Sequence, residues 1–129
     1  MRRILAAVAI LVALVGMTTA ATYAPKMYTS KPFTGVKANT GTVSATVDNG
    51  TITLKVSDDF VIPDTPAPSW QIIDSKGNTY LLNQFRIKGD KTNRMLTLPS
   101  YIKDVAKVQV WCSFAEVVLG ETSFDTIVK

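Results

Sequence analysis

Apolar and polar residues alternate with a period of two over 43–47, where Val43, Ala45 and Val47 interleave with Ser44 and Thr46. The same alternation returns over 51–56, with Ile52, Leu54 and Val56 against Thr51, Thr53 and Lys55. A period of two puts each set on its own face of a strand. Asp48-Asn49-Gly50 joins the two runs. Asn-Gly between alternating segments is the sequence of a type I′ hairpin, whose two central residues both need positive φ. Further strands are expected over 70–73, 79–82, 85–87, 95–98, 107–114, 117–119 and 122–128. Pro63, Pro66 and Pro68 define a rigid loop that cannot donate into a ladder. Turns are expected at 74–78 and at Gly89-Asp90, and a loop with one helical turn over 99–107. No window after the N-terminus has a 3.6-residue apolar period. Strands recurring about every 8–12 residues predict an all-β fold: an antiparallel sandwich or barrel of about seven to nine short strands.

The most apolar of these strands reads VQVWCSF (108–114). Alternation sets Val108, Val110, Cys112 and Phe114 on one face and Gln109, Trp111 and Ser113 on the other. The first set is apolar, so Cys112 and Phe114 are expected to point into the core and Trp111 away from it. Free cysteine behaves as a small hydrophobe, and packing alone accounts for an inward Cys112.

The N-terminus changes the picture of the compartment. Arg2-Arg3 precedes an unbroken apolar run, Ile4 to Val15, and small residues follow at 18–21. The run is too short for a membrane span, which needs about 20 apolar residues. The arrangement is that of a secretory signal peptide over 1–20, cut after Ala20 or Ala21. The expected location is periplasmic or extracellular, with no membrane span after cleavage. Residues 21–39 are mixed and carry Pro25, Pro32 and Gly35; they read as an N-terminal arm, partly ordered at best. Residues 40–129 form the β domain.

The chain has 14 basic and 10 acidic residues; losing Arg2 and Arg3 lowers the net charge from +4 to +2, with the signs interspersed. That is not a nucleic-acid footprint. There is one cysteine, so no internal disulfide can form, and there are no histidines. Ser/His/Asp and Cys/His catalysis are thereby excluded, as are histidine-ligated zinc, copper and haem. No catalytic constellation is recognisable. Asp58, Asp59 and Asp64 could bind a hard cation, but neighbours on a strand diverge and the triplet reads as a strand cap and turn. Among Asp64, Asp74, Glu116 and Glu121, nothing singles out a carboxylate pair, and no metal site is assigned. Met95 reads as core filler. Trp70 and Trp111 read as core or as cover for a sheet face, with stacking on a sugar or macrocycle as the functional alternative. A single thiol in an oxidising compartment draws attention. A reactive one needs electropositive surroundings, for which Lys103, Lys107 and Arg94 are the candidates.

DDFVIPDTPAPSWQII, LLNQFRIKG, RMLTLPSYI and VQVWCSFAEVVLGETSF follow one another over 58–124. This series resembles the electron-transfer DM13 domain family. The resemblance rests on Asp59-Phe60, Pro63-Asp64, Leu98-Pro99, Trp111-Cys112, Phe114 and Gly120, and it spans residues 41–124. Before Leu-Pro the family tends to carry an aromatic; this chain has Asn93-Arg94-Met95-Leu96. The resemblance implies a β-rich extracytoplasmic module for redox or electron transfer. Its cysteine, here Cys112, would be a bare thiol or the ligand of a cofactor, with haem or no cofactor both open. Trp111, Phe114, Asp59, Phe60 and Asp64 would line its pocket. The partner would be an unidentified redox protein or envelope component. The alternative is a non-catalytic structural or ligand-binding envelope module with a buried, inert Cys112.

Overall fold

A computed structural model describes residue 16 and residues 24–129 of the chain. The signal sequence read over 1–20 lies outside the described residues, residue 16 excepted. Among the described residues eight strands follow in order: β1 (Lys26–Thr29), β2 (Val43–Asp48), β3 (Thr51–Val56), β4 (Pro68–Ile73), β5 (Thr79–Gln84), β6 (Met95–Thr97), β7 (Val105–Cys112) and β8 (Val117–Val128). They form two four-stranded antiparallel sheets. Sheet A has the order β1-β2-β3-β6 and sheet B the order β5-β4-β7-β8. The expected β-sandwich is the fold. No helix among the described residues is long and apolar enough to cross a membrane.

Alternation explains the hairpins. Ala45 pairs with Leu54 and Val43 with Val56, all four fully buried, while Thr46 pairs with Thr53 on the outer face. Asn49 and Gly50 take φ of 48° and 77°, the pair of positive values that a type I′ turn requires. From sheet B, Trp70, Ile72, Val108 and Val110 face the same core. The Trp70 indole stacks on Phe85 at 4.6 Å between centroids and 21° between planes. Phe85 meets Phe60 at 5.4 Å, and Phe60 meets Phe33 at 5.0 Å. Trp70 Nε1–H donates to the Asn93 carbonyl at 2.9 Å, which satisfies its one polar atom in the core.

Several boundaries differ from expectation, each for a physical reason. The described part of the arm, residues 24–39, is built into the fold. It supplies β1 and buries Phe33 and Ala38. Residues 31–38 then run along the free edge of β8 as a strap. Lys31 N–H donates to the Ser123 carbonyl at 3.0 Å, Thr34 and Glu121 exchange bonds of 3.0 and 2.8 Å, and Ala38 N–H reaches Leu119 O at 2.9 Å. Pro32 and Gly35 broke the sequence pattern, yet an edge tolerates both. Residues 85–87 form no strand. Phe85 N–H bonds to Pro68 O, and only an isolated Arg86–Thr92 bridge follows. The loop before β7 is shorter than expected and closes on a turn, with Ile102 N–H donating to Pro99 O at 3.1 Å. The two C-terminal runs are one strand, since Gly120 continues the ladder opposite Val110. Met95 is no core filler. It is 62% exposed, opposite Lys55 on the outer face of short β6.

Two arginines hold the irregular segment after β3. Arg94 Nη2 donates to the carbonyls of Ser57 (2.8 Å) and Phe60 (3.1 Å). Arg86 Nη2 does the same for Ile62 (3.0 Å) and Pro63 (2.9 Å). These clamps give loop carbonyls partners that a proline-rich segment cannot supply itself.

The strap presses backbone on backbone where it crosses β8. A Cβ on Gly120 would fall on the Ala38 carbonyl, and one on Gly35 would strike Gly120 itself. Gly120→Ala is therefore expected to lower stability by about 3 kcal/mol, read as a reduced urea midpoint. Gly50→Ala, strained by its positive φ but facing open space, should cost only about 1 kcal/mol.

Candidate functional site

Cys112 is the last residue of β7. Its side chain points inward as alternation requires and is 2% exposed. The thiol donates to the Pro66 carbonyl at 3.2 Å and accepts the Ala115 N–H at 3.4 Å. Two backbone segments thus converge on one sulfur. The proline loop comes from one side, with Ala67 at φ 51° and its carbonyl taking the Ser113 N–H at 3.4 Å. The turn over 113–116 comes from the other, closed by Glu116 N–H to Cys112 O at 2.8 Å, with Glu116 at φ 54°.

That turn corrects the reading of Phe114. Alternation holds only while the strand lasts, and β7 stops at Cys112. Phe114 is 80% exposed on the turn rather than inward. Trp111 does face away from the core, half-buried on the outer side of sheet B, opposite Ser69 and Val118. Phe60 is buried, but its neighbours are Phe33, Phe85 and the Arg94 guanidinium, 6.0 Å above its ring. Asp59 is exposed in the turn after β3 and accepts the Ser57 hydroxyl. Asp64 is exposed on the proline loop. None of these side chains hydrogen-bonds Cys112.

Two of the three candidate cations are engaged elsewhere, and the third lines a separate cleft. Arg94 clamps its loop carbonyls, and Lys107 Nζ lies 2.9 Å from Glu121 Oε1. Lys103 lines a cleft of about 230 Å³ with Asp74, Tyr80, Tyr101 and Asp104. That cleft is built by turn chemistry. Asp74 accepts from the Lys76 and Asn78 backbones and from the Asn78 and Tyr80 side chains, and Asp104 accepts from Ser75 N–H and Oγ–H. The Asn78 side chain, foremost among these bonds, holds the Asp74 carboxyl below its ordinary value, and Asp74 in turn raises the Tyr80 phenol.

A haem needs an open coordination position at the sulfur and a flat apolar slot beside it. Here the sulfur is sealed and engaged by two backbone groups, Trp111 is on the opposite face of the strand, and Phe114 points to solvent. The residues around Cys112 do not fit a haem. The described residues contain no cluster of three or more metal-ligating side chains.

A second constellation lies on the outer face of sheet B. Gln71, Gln109 and Glu121 occupy one row across β4, β7 and β8. Gln71 Nε2 donates to Gln109 Oε1 at 2.7 Å, and Gln109 Nε2 donates to Glu121 Oε2 at 2.8 Å. Lys107 and then Gln109 hold the Glu121 carboxyl below its ordinary 4.5. Glu121 also lines a cleft of about 590 Å³ between β8 and the strap, with Lys31, Pro32, Thr34, Thr122 and Ser123. Sequence reasoning weighed Glu121 alone and passed over both glutamines. Their signal was alternation, because Gln71 and Gln109 sit opposite the inward residues of the two most apolar strands.

No family model matches the chain, and neither does any curated protein or solved structure.

The row has a pH signature. A carboxyl whose folded pKa is depressed contributes stability above its unfolded pKa and loses it as pH falls through the folded value. Glu121→Gln should flatten the fall in stability below pH 4.5, by less than about 1 kcal/mol because the ion pair is solvent-exposed. Urea midpoints at pH 7 and pH 3, compared between parent and variant, read this.

Proposed function

We propose that this chain is an exported, non-catalytic β-sandwich module of the DM13 type, working in the cell envelope or outside the cell as a binding or structural unit. In this reading Cys112 is a structural residue. The observation that carries it is the state of the sulfur: 2% exposed and bonded to Pro66 O and Ala115 N, with no cation among its hydrogen-bond partners. Reactive thiols occupy partly exposed, electropositive places. This sulfur instead ties the proline loop to the β7–β8 turn. Burial also explains how an unpaired thiol persists among oxidants, since disulfide exchange requires access. The lack of histidine and the engagement of Lys107 and Arg94 support the non-catalytic side of the proposal. No nucleic-acid partner is proposed.

One observation favours the redox reading that the DM13 resemblance implies. The sulfur is covered on one side by a single short turn, and the Ala115 N–H aimed at it would serve a thiolate as well as a thiol. Opening 113–116 alone would uncover a bare thiol without any cofactor.

Thiol trapping separates the two. With excess iodoacetamide on the folded protein, Cys112 is expected to react at the rate of global unfolding measured by fluorescence. Labelling ten or more times faster than unfolding would instead establish local opening and the redox reading. Cys112→Ala should lower stability by about 1–2 kcal/mol, through lost packing and an unpaired loop carbonyl, as read by thermal and urea unfolding.

A further inference from the structure

We propose that the outer face of sheet B binds an uncharged oligosaccharide, with Trp111 as the stacking platform and Gln109 and Glu121 as the hydroxyl-binding groups. This rests on the reading of the domain as a binding module and names the ligand class.

Three observations converge. First, Trp111 and Gln109 lie two residues apart on the outer side of β7, so an indole stands beside an amide on one face of the sheet. Trp111 is half-buried. A partly exposed indole presents ring surface for stacking and an N–H that can donate. Second, the polar row is ordered before any ligand arrives. Gln71 is 7% exposed and fixes the Gln109 amide from the neighbouring strand at 2.7 Å. Gln109 then orients Glu121 at 2.8 Å, and Lys107 holds its other oxygen at 2.9 Å. Each glutamine amide retains one N–H, and the carboxylate retains acceptor capacity, after these bonds. Donors and acceptors alternating along a line are what vicinal hydroxyls require. Third, the row opens at Glu121 into the 590 Å³ cleft, whose polar rim adds Thr34 and Ser123. From β5 to β8 the face spans three strand spacings, on the order of 14 Å, which suits a short oligosaccharide better than a single sugar.

Charge argues for an uncharged ligand. The one carboxylate in the row is paired with Lys107, and Lys31 at the cleft is paired with Asp125 at 3.5 Å, so each charge at the site has an opposite partner. Gln71 is a positioning residue here; Trp111, Gln109 and Glu121 would touch the sugar.

The test presents the purified chain to an array of neutral oligosaccharides and follows positives by calorimetry. At least one neutral trisaccharide should bind, and more tightly than its monosaccharide. Affinity should be unchanged in 0.5 M salt. Trp111→Ala should weaken binding tenfold or more and Gln109→Ala at least fivefold, while Trp111→Phe, which keeps a stacking ring, should weaken it threefold or less. Retention of no neutral sugar would overturn the proposal. So would binding untouched by Trp111→Ala and Gln109→Ala, or a preference for charged glycans abolished by salt. Trp111→Phe and Gln109→Ala keep the test informative if Trp111→Ala does not fold. Thiol trapping at Cys112 is independent of every arm, so failure here leaves the reading of the cysteine intact.

Discussion

The stack of Trp70 on Phe85 is the contact on which the rest of the domain depends. Trp70 sits in β4, and β4 is hydrogen-bonded on both sides, to β5 and to β7. Phe85 follows β5 directly and meets Phe60, which meets Phe33. One unbroken file of rings therefore runs from sheet B through the segment after β3 to the segment after β1. The three phenylalanines each arrive from a stretch that lacks regular structure, so burial of aromatic area is what gives those stretches a fixed path. The arginine clamps then satisfy the carbonyls that this path leaves without ladder partners. Apolar packing chooses the route, and charge-assisted hydrogen bonds make it tolerable.

Much of this was legible in the residues. The Asn49-Gly50 hairpin was, because a turn demanding positive φ twice has few solutions. The inward side of Cys112 was, because Val108 and Val110 share its parity. What escaped was whatever depended on partners distant in the chain. Nothing in residues 31–38 announces an edge pairing with β8, since Pro32 and Gly35 interrupt the pattern and the complementary surface lies some ninety positions away. Phe114 escaped for a local reason: parity predicts a face only until the strand ends, and VQVWCSF carries no visible terminator after Cys112. The two glutamines were hidden by their own ordinariness, for amides on an outer face read as solvated until their mutual bonds are seen.

Cys112 and the glutamine row occupy the two sides of one sheet and show two ways of handling polarity. On the inner side a weakly polar sulfur is hydrogen-bonded by backbone alone, to the proline loop on one side and the β7–β8 turn on the other. On the outer side strongly polar groups are bonded to one another, so that their remaining valences point outward in fixed directions. A pre-ordered surface loses less side-chain entropy on meeting a ligand than a floppy one. The DM13 resemblance draws the eye to the first of these; the geometry gives the second at least as much chemistry.

The strap across β8 has a further consequence. Lys31, Thr34 and Ala38 find their backbone partners only in Ser123, Glu121 and Leu119, and the Tyr28 hydroxyl reaches the carbonyl of Lys129. The first described strand and the last are therefore mutually dependent, with almost the entire domain threaded between them. Such long-range closure makes folding slow and cooperative. β1 can pair with β2 early, but the strap over residues 31–38 gains its edge partners only when β8 is in place.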